Sequence, residues 1–341
     1  MRRLILHIGT EKTGTSSIQR FLQRNTRTLV GLGFRSPACL ADAAGNHSWL
    51  PLLAYNADRV DDLTRRWLDP GRERAAQIEE RIARLARELE QGGDAVWIIS
   101  SEHLQSRLTT PEELMRLRDL LERQFEAIEL ILYIRQPIAT AVSLWSTAVQ
   151  CGHPFSTLPG PEQPYWHNLC DHATTIRRWR AAFPGTPLQV RLFQRGDLKG
   201  GDLIADFSAA AGLPDDRRLM RPSIRNPTLS HRGILMCAHL NRRLPRPDDG
   251  RPSRLVSLIA KATAALPAYR ASREEERAYE AAFSGSAAWL LAREFPGRSQ
   301  LWAPAPPPAS GRPVRLSRLE RAGLDGLAAL WKRLAGGGPS G

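Results

Sequence analysis

Lysine is nearly missing from this chain. Lys12, Lys199, Lys261 and Lys332 are the only four among 48 basic residues. No G-x-x-x-x-G-K-[ST] stretch occurs either, so the usual signature of ATP or GTP hydrolysis is lacking. Cysteine is scarce and dispersed, at Cys39, Cys151, Cys170 and Cys237, with no C-x-x-C pair. That spacing offers neither a zinc finger nor a disulfide framework. A reducing, cytoplasmic setting is the simple expectation. Cys151-x-His153 and Cys170-x-His172 have no second ligand cluster at matching spacing, so no metal is expected. No apolar run reaches the roughly 18 residues of a membrane span. Residues 1–8 are too short for a secretion signal. Acidic residues are the minority, 35 against 48 basic ones, for a net charge of +13. Such an excess favours anionic ligands. The arginines are spread through the chain rather than clustered with aromatics, which argues against a nucleic-acid surface.

What is present is concentrated at the N-terminus. Leu4, Ile5, Leu6 and Ile8 form an apolar run that predicts a buried strand. Gly9 to Ser17 follow, with two glycines, five hydroxyl residues and Lys12, and then a helical pattern. A small-residue loop at a helix N-terminus leaves backbone N–H groups free for an anion. Lys12 adds positive charge, and the hydroxyls of Thr13, Thr15, Ser16 and Ser17 add donors. Gly14 lets the backbone come close. Phosphate or sulfate fits this chemistry.

A second stretch repeats the logic. Ile128-Glu-Leu-Ile-Leu-Tyr-Ile134 reads as a strand buried on both faces. It ends in Arg135-Gln136-Pro137, and Pro137 suits the first turn of the next helix. Thr140, Ser143 and Thr147 form a thin polar stripe on that helix. A guanidinium leaving the strand supplies the forked donors that phosphate oxygens accept.

The order Lys12-Thr13-Gly14-Thr15-Ser16 resembles the 5′-phosphosulfate loop of the sulfotransferases that use 3′-phosphoadenosine-5′-phosphosulfate (PAPS). Arg135 followed eight residues later by Ser143 resembles their 3′-phosphate motif. Arg191-Leu-Phe-Gln-Arg-Gly-Asp-Leu198, Gly201-Asp-Leu-Ile-Ala-Asp-Phe207 with Leu213, and Arg225-Asn-Pro-Thr-Leu-Ser230 are similar to the second half of bacterial members. The likeness runs from residue 3 to about 300 and is specific only at the two cofactor motifs. It implies a P-loop-like α/β fold, PAPS as co-substrate, no metal, and cofactor contacts at Lys12, Thr13, Gly14, Thr15, Ser16, Ser17, Arg135 and Ser143. It also implies a hydroxyl-bearing acceptor such as a glycan.

Along the chain, strands are expected at 4–8, 95–99, 128–134 and 188–193. Helices are expected at about 15–30, 73–91, 112–125, from 137, at 173–183 and at 202–211. Residues 31–70 and the Pro-rich 152–168 read as irregular. Strands alternating with helices imply a mostly parallel sheet with helices on both faces. Ligands bind such sheets beyond the carboxyl ends of the strands. One domain is expected over 1–302, then a Pro-rich spacer at 303–314 and a C-terminal segment at 315–341. There Leu316, Leu319, Leu327, Leu330 and Leu334 line one side of a helix that Gly323 and Gly326 weaken. Docking on the body is its plain reading, and contact with a membrane surface the other.

Sulfuryl transfer needs charge stabilisation on the leaving phosphate and a base for the acceptor proton. Lys12 is the candidate for the first. Glu102, directly after the strand 95–99, and His47, in Gly45-Asn-His-Ser-Trp49, are the candidates for the second, in that order. His103 points away from Glu102 if the segment is extended. Trp49, Tyr165 and Trp166 offer faces for a sugar ring. The rival readings are a kinase with an atypical P-loop, which lacks its lysine, and a basic nucleic-acid-binding protein.

Overall fold

The computed structural model describes residues 1–222, 229–245, 253–303 and 314–336. Five strands form one sheet: β1 (Arg3–His7), β2 (Phe34–Arg35), β3 (Val96–Ser100), β4 (Ala127–Ile134) and β5 (Leu188–Leu192). Their order is β2-β3-β1-β4-β5, and every neighbouring pair is parallel. Ile5 sits opposite Ile98 on one side and Glu129 on the other.

Strand alternation sorts the apolar residues onto two faces. Leu4, Leu6, Trp97, Ile99, Leu130 and Leu132 meet Leu85, Leu89, Leu117, Leu121 and Trp179, from the helices Arg74–Gly92, Pro111–Glu122 and His172–Ala182. Ile5, Ile98, Ile131 and Tyr133 meet Ile18, Phe21, Ile204 and Phe207, from the helices Thr15–Arg24 and Leu203–Ala210. Both faces are covered, which is why the strands read as nearly continuous apolar runs. The chain leaves central β1 for β2 and β3 on one side, then passes to β4 and β5 on the other. The crevice at the carboxyl end of β1 is therefore the switch point where such sheets bind ligands.

Helix starts follow capping chemistry. Glu73, Thr110, Asp171 and Asp202 each accept a backbone N–H from the first turn of the following helix, an interaction worth about 1 kcal/mol.

Three expectations change. The helix expected over about 15–30 breaks at Asn25, whose side-chain amide donates to Phe21 O (2.8 Å) and Met220 O (2.9 Å) and accepts from the Met220 N–H. Residues 31–70 contain β2 and short helices, including Asp62–Trp67 with a capping box at Asp61. The Pro-rich 152–168 gives way to a helix at Pro164–Cys170, with proline in its tolerated first position.

Contacts gather the chain into two units. The first holds the sheet (1–140, 167–224 and 283–303) and the second holds 141–166, 225–282 and 304–341. The helix Pro137–Gln150 starts in the first and ends in the second. The second unit has its own core of Trp145, Val149, Ile234, Cys237, Leu240, Val256, Leu324 and Ala328. There the helix Arg318–Gly336 docks on the helix His231–Asn241. Most of the Pro-rich spacer (304–313) and most of Arg225–Ser230 (225–228) lie outside the described residues.

Candidate functional site

The loop after β1 is shaped by left-handed backbone at Gly9 (φ 68°), Lys12 (φ 70°) and Gly14 (φ 81°). At Gly9 a Cβ would stand 2.5 Å from the Glu102 Cα, so only glycine lets the loop approach the end of β3. Lys12 is the one described non-glycine residue with positive φ, a conformation that costs about 1–3 kcal/mol unless its surroundings hold it. The Arg135 guanidinium holds it, donating from Nη1 to the Lys12 carbonyl at 3.0 Å. Inside the loop, the Thr13 hydroxyl donates to Thr10 O at 2.6 Å, and that of Thr15 to the same oxygen at 3.4 Å. Ser16 is exposed and Ser17 half-buried. The helix Thr15–Arg24 starts at Gly14 without a side-chain cap and without an acidic residue in its first turn. Its partial positive end is thus not neutralised locally.

Arg135 leaves β4 at the same edge. Its half-buried guanidinium lies over the Phe193 ring, 5.7 Å from the centroid, and desolvation lowers its pKa. No carboxylate among the described residues pairs with it. Its backbone carbonyl accepts from His172 Nε2 at 2.7 Å. That bond places the His172 proton on Nε2. Burial lowers the His172 pKa to about 4, so the ring is neutral near pH 7 and is spent on the backbone.

Glu102 directly follows β3 and Ser101, and its two carboxylate oxygens are separately engaged. Oε2 accepts from Gln19 Nε2 at 2.8 Å, and Oε1 from Asn46 Nδ2 at 3.1 Å. The carboxylate is therefore fixed by two neutral amides rather than by an arginine. His47 is not in a surface loop but is 2 % exposed. Ser36 Oγ donates its proton to Ile98 O at 2.6 Å and lies 3.4 Å from His47 Nε2. Nδ1 lies 3.1 Å from both the N–H and the carbonyl oxygen of Ser100, accepting from the first or donating to the second according to the tautomer. Both ring nitrogens are occupied, and burial takes the pKa to about 4. In this arrangement His47 ties the segment before it to β3.

The structure thus brings Lys12, Thr13, Gly14, Thr15, Arg135 and Glu102 to one edge of the sheet. Ser143 belongs to the second unit, where its carbonyl accepts from the Thr147 hydroxyl at 3.2 Å. Trp49 and Trp166 are buried, and Trp49 lies in the core with the Arg81 guanidinium 3.9 Å from its ring centroid.

Sequence reasoning missed the layer beneath the loop. His7 is fully buried at the end of β1, 2.8 Å from Ser100 Oγ and edge-on to Tyr133 and Phe207. The Tyr133 hydroxyl donates to Asp206 at 2.6 Å, and Arg191 forks onto both oxygens of that carboxylate. Arg191 and Asp206 both fall in the segments that carry the family resemblance, yet their work is structural. The hydroxyls of Thr10, Ser101 and Thr140, near the ends of β1, β3 and β4, are buried without a partner. A hydroxyl one to three residues past a buried strand was the available signal for the first two. Among the described residues no three His, Cys, Asp or Glu side chains gather as a metal site, and no helix is long and apolar enough to cross a membrane.

No protein-family model matches the chain, and no curated protein matches it in sequence. Among solved structures, a sulfotransferase from Alicyclobacillus acidocaldarius is similar at 16% identity and a TM-score of 0.38, covering 65% of this chain and 86% of that one. At this level the likeness carries no argument about the chemistry, for which the site's own geometry has to serve.

Proposed function

We propose that the protein transfers the sulfuryl group of PAPS to a hydroxyl or amine of a carbohydrate-like acceptor. The observation that carries this reading is Arg135. It is a half-buried guanidinium with no carboxylate partner among the described residues, tied to the loop through the Lys12 carbonyl. A partly desolvated cation is costly unless an anion completes its pairing. An uncapped helix N-terminus beside it favours the same kind of ligand.

PAPS brings two separate phosphates, and the resemblance assigns one to each cluster. The loop of Lys12, Thr13, Gly14, Thr15, Ser16 and Ser17 takes the 5′-phosphosulfate. Arg135 and Ser143 take the 3′-phosphate. In the transfer the acceptor oxygen forms its bond to sulfur as the bond from sulfur to the bridging phosphate oxygen breaks, and PAP leaves. Lys12 neutralises charge on that oxygen, a contact whose loss typically costs about 10²–10³-fold in rate. Glu102 takes the acceptor proton. Its two amide donors hold the carboxylate in place without a formal countercharge.

The test pairs binding with turnover. PAP, added to the purified protein, should raise its melting temperature much more than ATP does. Sulfur-labelled PAPS with a panel of glycans should give labelled product and free PAP. Equal stabilisation by ATP and PAP would favour the kinase reading and sink this one.

A further inference from the structure

Phe193 lies in one of the segments that carry the family resemblance, Arg191 to Leu198, and the reaction above gives it no part. It is the first residue past β5. Its backbone N–H donates to Ile134 O at 2.7 Å, so it stands beside Arg135 where β4 and β5 end. Its ring is half-buried rather than sealed in the core. Over that ring lies the Arg135 guanidinium, 5.7 Å from the centroid, within the reach of a cation–π contact. The ring edge meets the loop after β1. A Cβ on Gly14 would stand 3.2 Å from Phe193 Cε2 and 2.3 Å from Leu203 Cδ2, so Gly14 is pressed against both side chains. One ring thus borders the start of the helix Thr15–Arg24 and the cation that leaves β4. The bond from Arg135 to the Lys12 carbonyl, at 3.0 Å, ties the same two parts a second time.

We propose that Phe193 is a specificity-determining residue. Its ring fixes the distance between the loop after β1 and the Arg135 guanidinium, and so selects a nucleotide whose two phosphates are spaced as 5′ and 3′. The inference rests on the sulfotransferase reading above, which gives the loop the 5′ group and Arg135 the 3′-phosphate. A phenyl ring offers a phosphate neither donor nor acceptor. What it supplies is a stiff volume and an aromatic face. One hydrogen bond to the Lys12 carbonyl leaves a long arginine side chain several rotamers. A packed ring under the guanidinium restricts them, and the loop is set against the edge of that same ring.

Calorimetric titration of the full chain with two isomers tests this. Adenosine 3′,5′-bisphosphate and adenosine 2′,5′-bisphosphate carry the same groups and the same charge, and differ only in spacing. The wild-type protein should bind the 3′,5′ isomer more tightly. Phe193→Leu keeps apolar bulk but loses the aromatic face, and should reduce that preference about two- to fivefold. Phe193→Ala removes the bulk as well and should reduce it further. A loss of stability alone weakens both isomers alike, so the ratio within each variant separates selection from packing. Phe193→Leu, the milder truncation, carries the test if Phe193→Ala does not fold. Equal losses for both isomers, or an unchanged ratio in Phe193→Leu, would overturn the proposal. So would a wild-type protein that binds both isomers equally and more tightly than adenosine 5′-phosphate, a result that keeps Arg135 as a phosphate site. If neither isomer binds more tightly than adenosine 5′-phosphate, Arg135 holds no second phosphate, and the sulfotransferase reading falls together with this proposal.

Discussion

Replacing Arg135 by alanine removes two things at once, and they can be told apart. The first is a charge-assisted contact to the 3′-phosphate, worth about 1.5–3 kcal/mol, or about tenfold to 150-fold in Kd. The second is the 3.0 Å bond that holds the Lys12 carbonyl. Releasing a left-handed Lys12 frees strain of about 1–3 kcal/mol and loosens the loop. The loop loss falls on every ligand with a 5′-phosphate, whereas the direct loss falls only on ligands with a 3′-phosphate. Calorimetric titration with PAP and with adenosine 5′-phosphate, which differ only in that group, separates the two. Arg135→Ala should weaken PAP more than adenosine 5′-phosphate by about tenfold or more. Arg135→Lys keeps a charge but loses the fork, and should recover only part of the difference. The free protein should lose little stability, because the guanidinium removed was half-buried without a carboxylate. Equal losses for both ligands, with a collapse of the unliganded melting temperature, would make Arg135 a structural residue and refute the argument.

Gly9→Ala sets a Cβ 2.5 Å from the Glu102 Cα at φ 68°, so it should cost more than about 1 kcal/mol in thermal unfolding; an unchanged melting temperature would contradict the packing. Glu102→Gln should lower kcat about 10²–10⁴-fold with PAP affinity near wild type, and near-normal turnover would remove Glu102 as the base. Burial takes His7 to about 3 and His47 and His172 to about 4, while the unfolded chain titrates near 6.5. The unfolded state therefore gains protons first, and stability present above about pH 6.5 is lost as pH falls toward about 4. The slope should approach about 1.4 kcal/mol per pH unit for each histidine, and a melting temperature constant from pH 7 to 5 would refute it.

The strands and the loop were legible because their signals are local. Leu4 to Ile8 and Ile128 to Ile134 are dense apolar runs, and Gly9 to Ser17 hold their small residues in nine consecutive positions. β2 was not legible: two residues, Phe34 and Arg35, are too few to show a period. The helix Pro164–Cys170 was hidden by prolines that mark turns elsewhere but here start the helix. The partners of Glu102 were out of reach for another reason. Gln19 lies 83 residues away and Asn46 56 residues away, and an amide in a helix or a loop has no pattern that announces a carboxylate partner. His47 misled because a histidine in a Gly-Asn-rich segment reads as exposed, whereas Ser36 and the β3 backbone draw it into the interior.

Charge shows the limit of composition most clearly. A net +13 predicts an anionic ligand without placing it. In the first unit several arginines are neutralised by buried carboxylates. Arg59 pairs with Glu113, Arg180 with Glu294, and Arg191 with Asp206. Each of these pairs joins a cation to a carboxylate with little or no exposure, and each braces the scaffold. Arg135 differs in being turned to a carbonyl, which occupies one of its five donors and neutralises none of its charge. Its neighbour across that bond is the backbone of Lys12, the lone lysine before residue 199. The Arg135 charge is thus left without a carboxylate partner among the described residues where β4 ends, beside the switch point of the sheet, and that position is what supports the proposal of a phosphorylated co-substrate.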